Sequence, residues 1–405
     1  MKLQKTYVAA VAVALAVSVD VEAYAGNEDG ILRTDNIEDV LMAVAVNNPQ
    51  LIASGKDVEA QTMLMKSENM LEDPTVEYSS FYSSGVSGQS GSELVVSQGF
   101  DFPTLYAAKH KRNELSQAAL GSGLDNERRL ILLDARNLCY DIIMYRQIGE
   151  LLGMQSGIAG ELLTLYNTRL ETGDASVLEV NKIKMELMSV ATAVAENNAA
   201  LDAACRSLNA MNGGHEIDFT AGFYPLVEEV ADIEAAVEEY LSSDASIAAA
   251  ESAAAAARKD VSVNRQGWIP KLEVGYRRNT AIREAEHGFL VGGSIPIFSN
   301  HRKVAMAKAQ SVSANSTLNA VRLQAESEVR SLLNEIDQTA SAIDAYDEPL
   351  MRETLDLLGK AVEGGEISLI EYFVEASSIY GNLTACITLQ NSWHKLMARL
   401  YKNRM

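Results

Sequence analysis

The chain has 405 residues, 47% of them hydrophobic, and its 34 Lys and Arg face 55 Asp and Glu, a formal charge of -21. Such an acid excess argues against nucleic acid as a partner, and because it is spread along helical segments it reads mostly as a solvated face. Three cysteines, Cys139, Cys205 and Cys386, are an odd count in helical stretches at non-equivalent repeat positions, and read as small buried hydrophobes rather than a disulfide or ligand set.

Lys2 and Lys5 precede an apolar run from Tyr7 to Val19, followed by Ala23, Tyr24 and Ala25. This is the pattern of a secretory signal peptide over residues 1–25, cut before Gly26. The run is shorter than the roughly 20 residues a helical span needs. No cysteine stands at the cleavage site, so a lipid anchor there is not expected.

From Asn36 to Leu71 the chain reads helical, with Pro49 as a kink or break. PTVEYSSFY (74–82) alternates with a period of two, and SELVVSQGFDF (92–102) follows across SGVSGQSG, so the pair forms a hairpin. Pro103 ends the strand, and a helix is expected from Leu105 to Thr172, about 100 Å long at 1.5 Å per residue. Its seam, Ile131, Ala135, Leu138, Ile142, Tyr145, Gly149, Leu152, Ser156, Ala159, Leu163, Tyr166 and Leu170, keeps the 4,3 spacing of coiled-coil packing. ETGDAS breaks it, and a return helix with Val180, Ile183, Leu187, Val190 and Val194 on its seam runs to Gly213 and Gly214.

The same order then repeats. Pro74 recurs as Pro270, Pro103 as Pro296 and Gly173 as Gly365, offsets of about 192–196 residues, far beyond the 20–50 of solenoid repeats. The first repeat is assigned to 26–213, a linker to 214–232 and the second repeat to 233–405. In the second, a helix is expected over 233–265, strands over 270–279 and 287–298, a long helix over 300–363 that Pro349 kinks, and a last helix ending near Lys402.

Four strands cannot enclose an open lumen, since even an eight-stranded barrel is filled by side chains. Strands of about ten residues nevertheless have the length of a tilted membrane strand. Three chains sharing one barrel would supply about twelve. Tyr78, Phe81, Tyr82, Phe100, Phe102, Tyr106, Trp268, Tyr276, Phe289 and Phe298 concentrate around the hairpins, as aromatic girdles do. The alternative is a soluble hairpin capping a helical bundle, with which Arg277 and Arg278 are compatible.

NNPQL (47–51), RLETGDASVLEV (169–180), LNAMNG (208–213), WIPKLEVGY (268–276), GGSIPIF (292–298) and EGGEISLIEY (363–372), in this order and duplication, resemble the TolC-like outer-membrane efflux protein family over residues 35–403. The resemblance implies a mainly α fold with a membrane β-barrel: a homotrimer whose shared twelve-stranded barrel continues into a twelve-helix coiled-coil tunnel. It implies an outer-membrane exit duct with a long periplasmic extension, served by an inner-membrane transporter through a periplasmic adaptor. Such a duct is not an enzyme and carries no cofactor. The stretch EPLMRETLDLLGKAVEGGEISLIEYFVEA also looks like the branch serving heavy-metal efflux pumps of the resistance-nodulation-division type.

His110, His215, His287, His301 and His394 lack metal-ligand spacing and read as solvated or structural. The informative positions are the two helix-to-helix turns. Gly173 and Gly364 or Gly365 permit positive φ, and Ser176 and Ser368 suit helix caps. Under the resemblance, Thr172, Gly173, Asp174, Ser176, Gly364, Gly365, Glu366 and Ser368 form the tip where an adaptor docks. Glu171, Asp174, Glu363 and Glu366 are candidates for an acidic entrance ring that favours cations in a threefold assembly; as single residues they are ordinary helix-end charges, with Asp174 and Glu366 suiting a helix dipole. The competing reading is a soluble periplasmic coiled-coil scaffold or adaptor, and a helical enzyme ranks last.

Overall fold

The computed structural model describes residues 31–85, 87–228, 230–281, 284–296 and 300–404. The segment 1–25, expected to be a signal peptide, and Phe298 lie outside them. In chain order the elements are β1 (Leu32–Thr34), α1 (Ile37–Asn47), α2 (Pro49–Ser67), β2 (Thr75–Phe81), β3 (Gly91–Phe100), α3 (Pro103–Thr172) and α4 (Val177–Met211). There follow β4 (Ile217–Phe219), α5 (Ile233–Ser243), α6 (Ala245–Gln266), β5 (Lys271–Ala281), β6 (Ala285–Ser294), α7 (Asn300–Asp344), α8 (Glu348–Gly364) and α9 (Leu369–Leu400).

Helix breaks come from side chains that cap, and equivalent positions use the same device. Asn48 Oδ1 accepts from the amides of Gln50 and Leu51 at 3.0 and 3.1 Å, so α1 and α2 are separate helices with Pro49 opening the second. Asp244, its counterpart in the second half, accepts from Ser246 and Ile247 at 2.8 and 3.2 Å. The single helix expected over 233–265 is therefore two. Asp347 accepts from the Leu350 amide at 3.0 Å with Pro349 in the first turn, so the expected kink is a complete break between α7 and α8.

The chain divides into two compact units: one of residues 31–52, 128–240 and 328–404, the other of 53–127 and 241–327. The first has two clusters. In one, Val40 and Val44 of α1 pack with Ala135, Cys139 and Ile142 of α3, Leu208 of α4, and Ile217 and Phe219 of β4. In the other, Leu162 and Tyr166 of α3 meet Val180 and Ile183 of α4, Val362 of α8, and Leu369, Tyr372 and Leu383 of α9. The expected seams are these buried faces: Ala135, Ile142, Ala159, Tyr166, Val180, Ile183 and Val190 are each 5% exposed or less. The α4 terminus docks on the α1–α2 break, where Asn48 Nδ2 donates to the Met211 carbonyl at 2.9 Å and a Cβ on Gly213, at φ +69°, would lie 2.7 Å from the Asn47 carbonyl oxygen. A short parallel pair, β1 with β4, was not foreseen; its β4 strand lies in the segment assigned as linker.

The second unit carries a four-stranded antiparallel sheet of order β2-β3-β5-β6, in which β3 pairs with β5 and joins the two hairpins. The strands match the expected positions within a few residues. Helix α2 buries none of its residues.

Candidate functional site

The sheet register sorts side chains onto two faces of opposite character. Val76, Val96, Tyr276 and Phe289 form one cross-strand row. Val274 with Val291, and Phe100 with Leu272, continue the same face on one side, and Tyr78 with Leu94 on the other. This apolar face is uncovered: Val76 is 66% exposed, Tyr78 61%, Val291 81% and Phe289 93%. It grades into polar side chains at Arg278 and His287, which pair in register. Leu272 to Arg278 spans about 20 Å at 3.4 Å per residue, close to the ~25 Å apolar band of a membrane barrel.

The opposite face carries Glu77, Glu93, Lys271, Glu273, Arg277, Asn279 and Glu286, with glycines at 91, 99, 275, 288 and 292, besides Phe81, Val95 and Leu290. Arg277 pairs with Glu93, and Lys271 with Glu72. A water-soluble sheet packs its apolar face and solvates the polar one. Here the apolar face is bare and the charges occupy the other. Among the described residues, edge strands β2 and β6 each lack a partner on one side.

In the other unit, the structure brings the two sequence-predicted turns together. Arg169 donates from its guanidinium to the Glu363 carbonyl at 2.7 Å. The turns share one backbone design: Asp174 N–H reaches the Arg169 carbonyl at 2.7 Å and Glu366 N–H the Ala361 carbonyl at 2.9 Å, the long bond of a Schellman closure. Gly173 and Gly365 take φ +82° and +77°, which resolves the choice between Gly364 and Gly365. Both serines complete capping boxes: Ser176 Oγ accepts from Glu179 N and Ser368 Oγ from Glu371 N, each at 3.2 Å. Hydrogen bonds from the backbone and side chain of each serine hold the Glu179 and Glu371 carboxyls below the usual carboxylate range.

Thr172 donates to Asp174 Oδ2 at 2.9 Å. Glu171, Thr172, Gly173, Asp174, Ser176, Glu363, Gly364, Gly365, Glu366 and Ser368 are all exposed. Two features escaped sequence reasoning. Arg169, stacked 5.1 Å over the Tyr166 ring, bridges the turns; its counterpart in the other repeat is Ala361, an asymmetry visible in the aligned repeats. Leu178 and Ile370, equivalent positions just inside the return helices, are 75% and 55% exposed apolar side chains. Among the described residues no group of three or more His, Cys, Asp or Glu could hold a metal, and no helix is long and apolar enough to cross a membrane.

Residues 236–403 match the family model described as "Outer membrane efflux protein". No curated protein matches the chain. Among solved structures, the Campylobacter jejuni CmeC outer membrane channel has a TM-score of 0.76 at 14% identity, covering 91% of this chain and 85% of that one. The outer membrane protein VceC from Vibrio cholerae has 0.73 at 15%, covering 91% and 95%, and the open-state Neisseria gonorrhoeae MtrE outer membrane channel 0.73 at 15%, covering 91% and 88%. Residues 236–403, the second repeat, thus carry the sequence pattern of the outer membrane efflux protein family, and the chain has the fold of these channels over nine-tenths of its length.

Proposed function

We propose that this protein is the outer-membrane exit duct of a tripartite efflux or export system, passing substrate delivered by an inner-membrane transporter through a periplasmic adaptor. The observation that carries this reading is the bare apolar face of the four-stranded sheet backed by a charged one. That arrangement suits lipid outside and water inside, the reverse of a soluble sheet. A hairpin capping a soluble bundle would leave the Val76, Tyr276, Phe289 and Val291 surface in water, an apolar patch with no partner.

Among the described residues the sheet has two open edges, so closure calls for other copies. Three sheets joined β6 to β2 make a barrel of about twelve strands with no free edge, and the long helices of three chains continue it as a tunnel of about twelve. The repeats 26–213 and 233–405, joined by 214–232 after a leader over 1–25, are the building plan of this trimer. Its work is transport without catalysis.

The paired turns form the entrance. Thr172, Gly173, Asp174, Ser176, Gly364, Gly365, Glu366 and Ser368 are the adaptor-docking positions, supported by their exposure and by the apolar side chains of Leu178 and Ile370 beside them. Glu171, Asp174, Glu363 and Glu366, repeated three times around an axis, make a carboxylate ring that favours cations. Planar-bilayer recording of detergent-extracted protein tests this reading: discrete cation-preferring steps support it, and a preference that survives Asp174→Asn with Glu366→Gln removes the ring from it.

A further inference from the structure

The segment after β4 crosses the first unit in a way the duct reading does not use. Arg146 of α3 donates to the carbonyls of Phe219 and Ala221, the latter at 2.9 Å, and Gln147 Nε2 donates to that of Gly222 at 3.0 Å. These bonds deliver Tyr224 to α9, where its ring stacks on His394 with centroids 4.3 Å apart and planes 11° from parallel. Tyr140 of α3 closes the cluster at 5.8 Å from Tyr224 and 5.6 Å from His394, and Trp393 lies edge-on at 4.9 Å. Phe223 and Leu226, flanking Tyr224, are 86% and 104% exposed, so Tyr224 is the ring that holds this stretch down.

The cluster is built of neutral rings with unmet polar atoms. Among the described residues neither the Tyr224 hydroxyl nor His394 Nδ1 has a hydrogen-bond partner, although both atoms are buried. The charges nearby are committed elsewhere. Asp141 of α3 accepts from Asn391 at 2.9 Å and from Lys395 at 2.6 Å, both on α9 beside His394. Arg136 of α3 pairs with Glu38 of α1 at 2.5 Å, and Arg146 is bound to the linker carbonyls. An imidazolium at His394 would carry a buried Nδ1–H with no acceptor among the described residues, a cost relieved when the Tyr224 ring parts from it.

We propose that the stacked His394–Tyr224 pair is an acid-sensitive latch whose protonation releases residues 220–226 from the helices beneath them. Burial pushes the His394 imidazole down from its ordinary 6.5 to about 4, and pushes the Tyr224 phenol up. A depressed value means that the latch holds fully above pH 6.5 and is lost as pH falls toward 4. Linkage between those two values gives a local opening equilibrium about 30-fold larger at pH 5 than at pH 7.5. The released segment presents Phe223, Tyr224 and Leu226 together as one apolar stretch.

Hydrogen exchange of the full-length protein in detergent, corrected for intrinsic exchange rates, tests the latch. Protection of residues 220–226 should fall about 30-fold from pH 7.5 to pH 5, while the buried turns around Cys139 and Ile142 keep theirs. His394→Phe retains a stacking ring without a titrating nitrogen and should hold the segment equally at both pH values. Unchanged protection in the unaltered protein, or a pH response that persists in His394→Phe, overturns the proposal. So does an imidazole titration of the unaltered protein with a midpoint near 6.5, a measurement that does not depend on any variant folding. The latch stands independently of the duct reading, since none of these readouts requires a membrane channel.

Discussion

Replacing Val291 with lysine separates a membrane sheet from a soluble one. Val291 is 81% exposed on β6, paired with Val274, and lies within the apolar rows bounded by Arg278 and His287. Were that face in water, Val→Lys would stay within about 0.5 kcal/mol, as for ordinary surface changes. Facing hydrocarbon, a lysine near the bilayer midplane costs about 2–4 kcal/mol. A trimer carries the change three times, which brings the total to about 6–12 kcal/mol per assembly. The mirrored change, Glu77→Lys, places the same side chain on the opposite face and should cost under about 1 kcal/mol. Denaturant titration of protein folded into lipid vesicles, with the fraction surviving as heat-resistant oligomer on gels, reads both. Equal stabilities for Val291→Lys and Glu77→Lys would refute the assignment of the bare face to lipid.

Three further outcomes follow from the turns. Arg169→Ala removes the guanidinium bond to the Glu363 carbonyl; at so exposed a site the loss of stability stays under about 1 kcal/mol, but bilayer conductance should rise because the turns are no longer tied. Gly365→Ala places a Cβ in open space yet at φ +77°, so its cost is backbone strain of about 1–2 kcal/mol, read as a lowered thermal midpoint. Ser176→Ala should cost about 1 kcal/mol as a lost cap. The depressed Glu179 and Glu371 carboxyls make both capping boxes contribute above the ordinary carboxyl range and weaken as pH falls through their lowered values, so the Ser176→Ala difference should shrink in acid.

Duplication, seams and hairpins were legible because each rests on local chemistry: proline and glycine at fixed offsets, 4,3 spacing, and a period of two. Pro49 and Pro349 marked interruptions, but the completeness of the breaks came from Asn48 and Asp347, whose carboxamide and carboxylate offer the following amides a better acceptor than the preceding turn. Asp244 had no proline beside it and passed as a helical residue. The β1–β4 pair joins residues more than 180 positions apart through three residues each, too short to leave a periodic signal. At the turns, glycine and serine spacing pointed to the closures and caps, whereas the Arg169 bond to a backbone carbonyl depends on the two hairpins lying side by side and has no signature within either. His394, read as structural or solvated, is structural; its stacking partner Tyr224 lies in the segment that sequence patterning treated only as a linker.

The most direct test of the central claim is the native mass of the protein together with its location after separating outer membrane from soluble periplasm. An exit duct should be a trimer recovered only from the outer membrane with detergent. A monomer released in the soluble periplasmic fraction would contradict it.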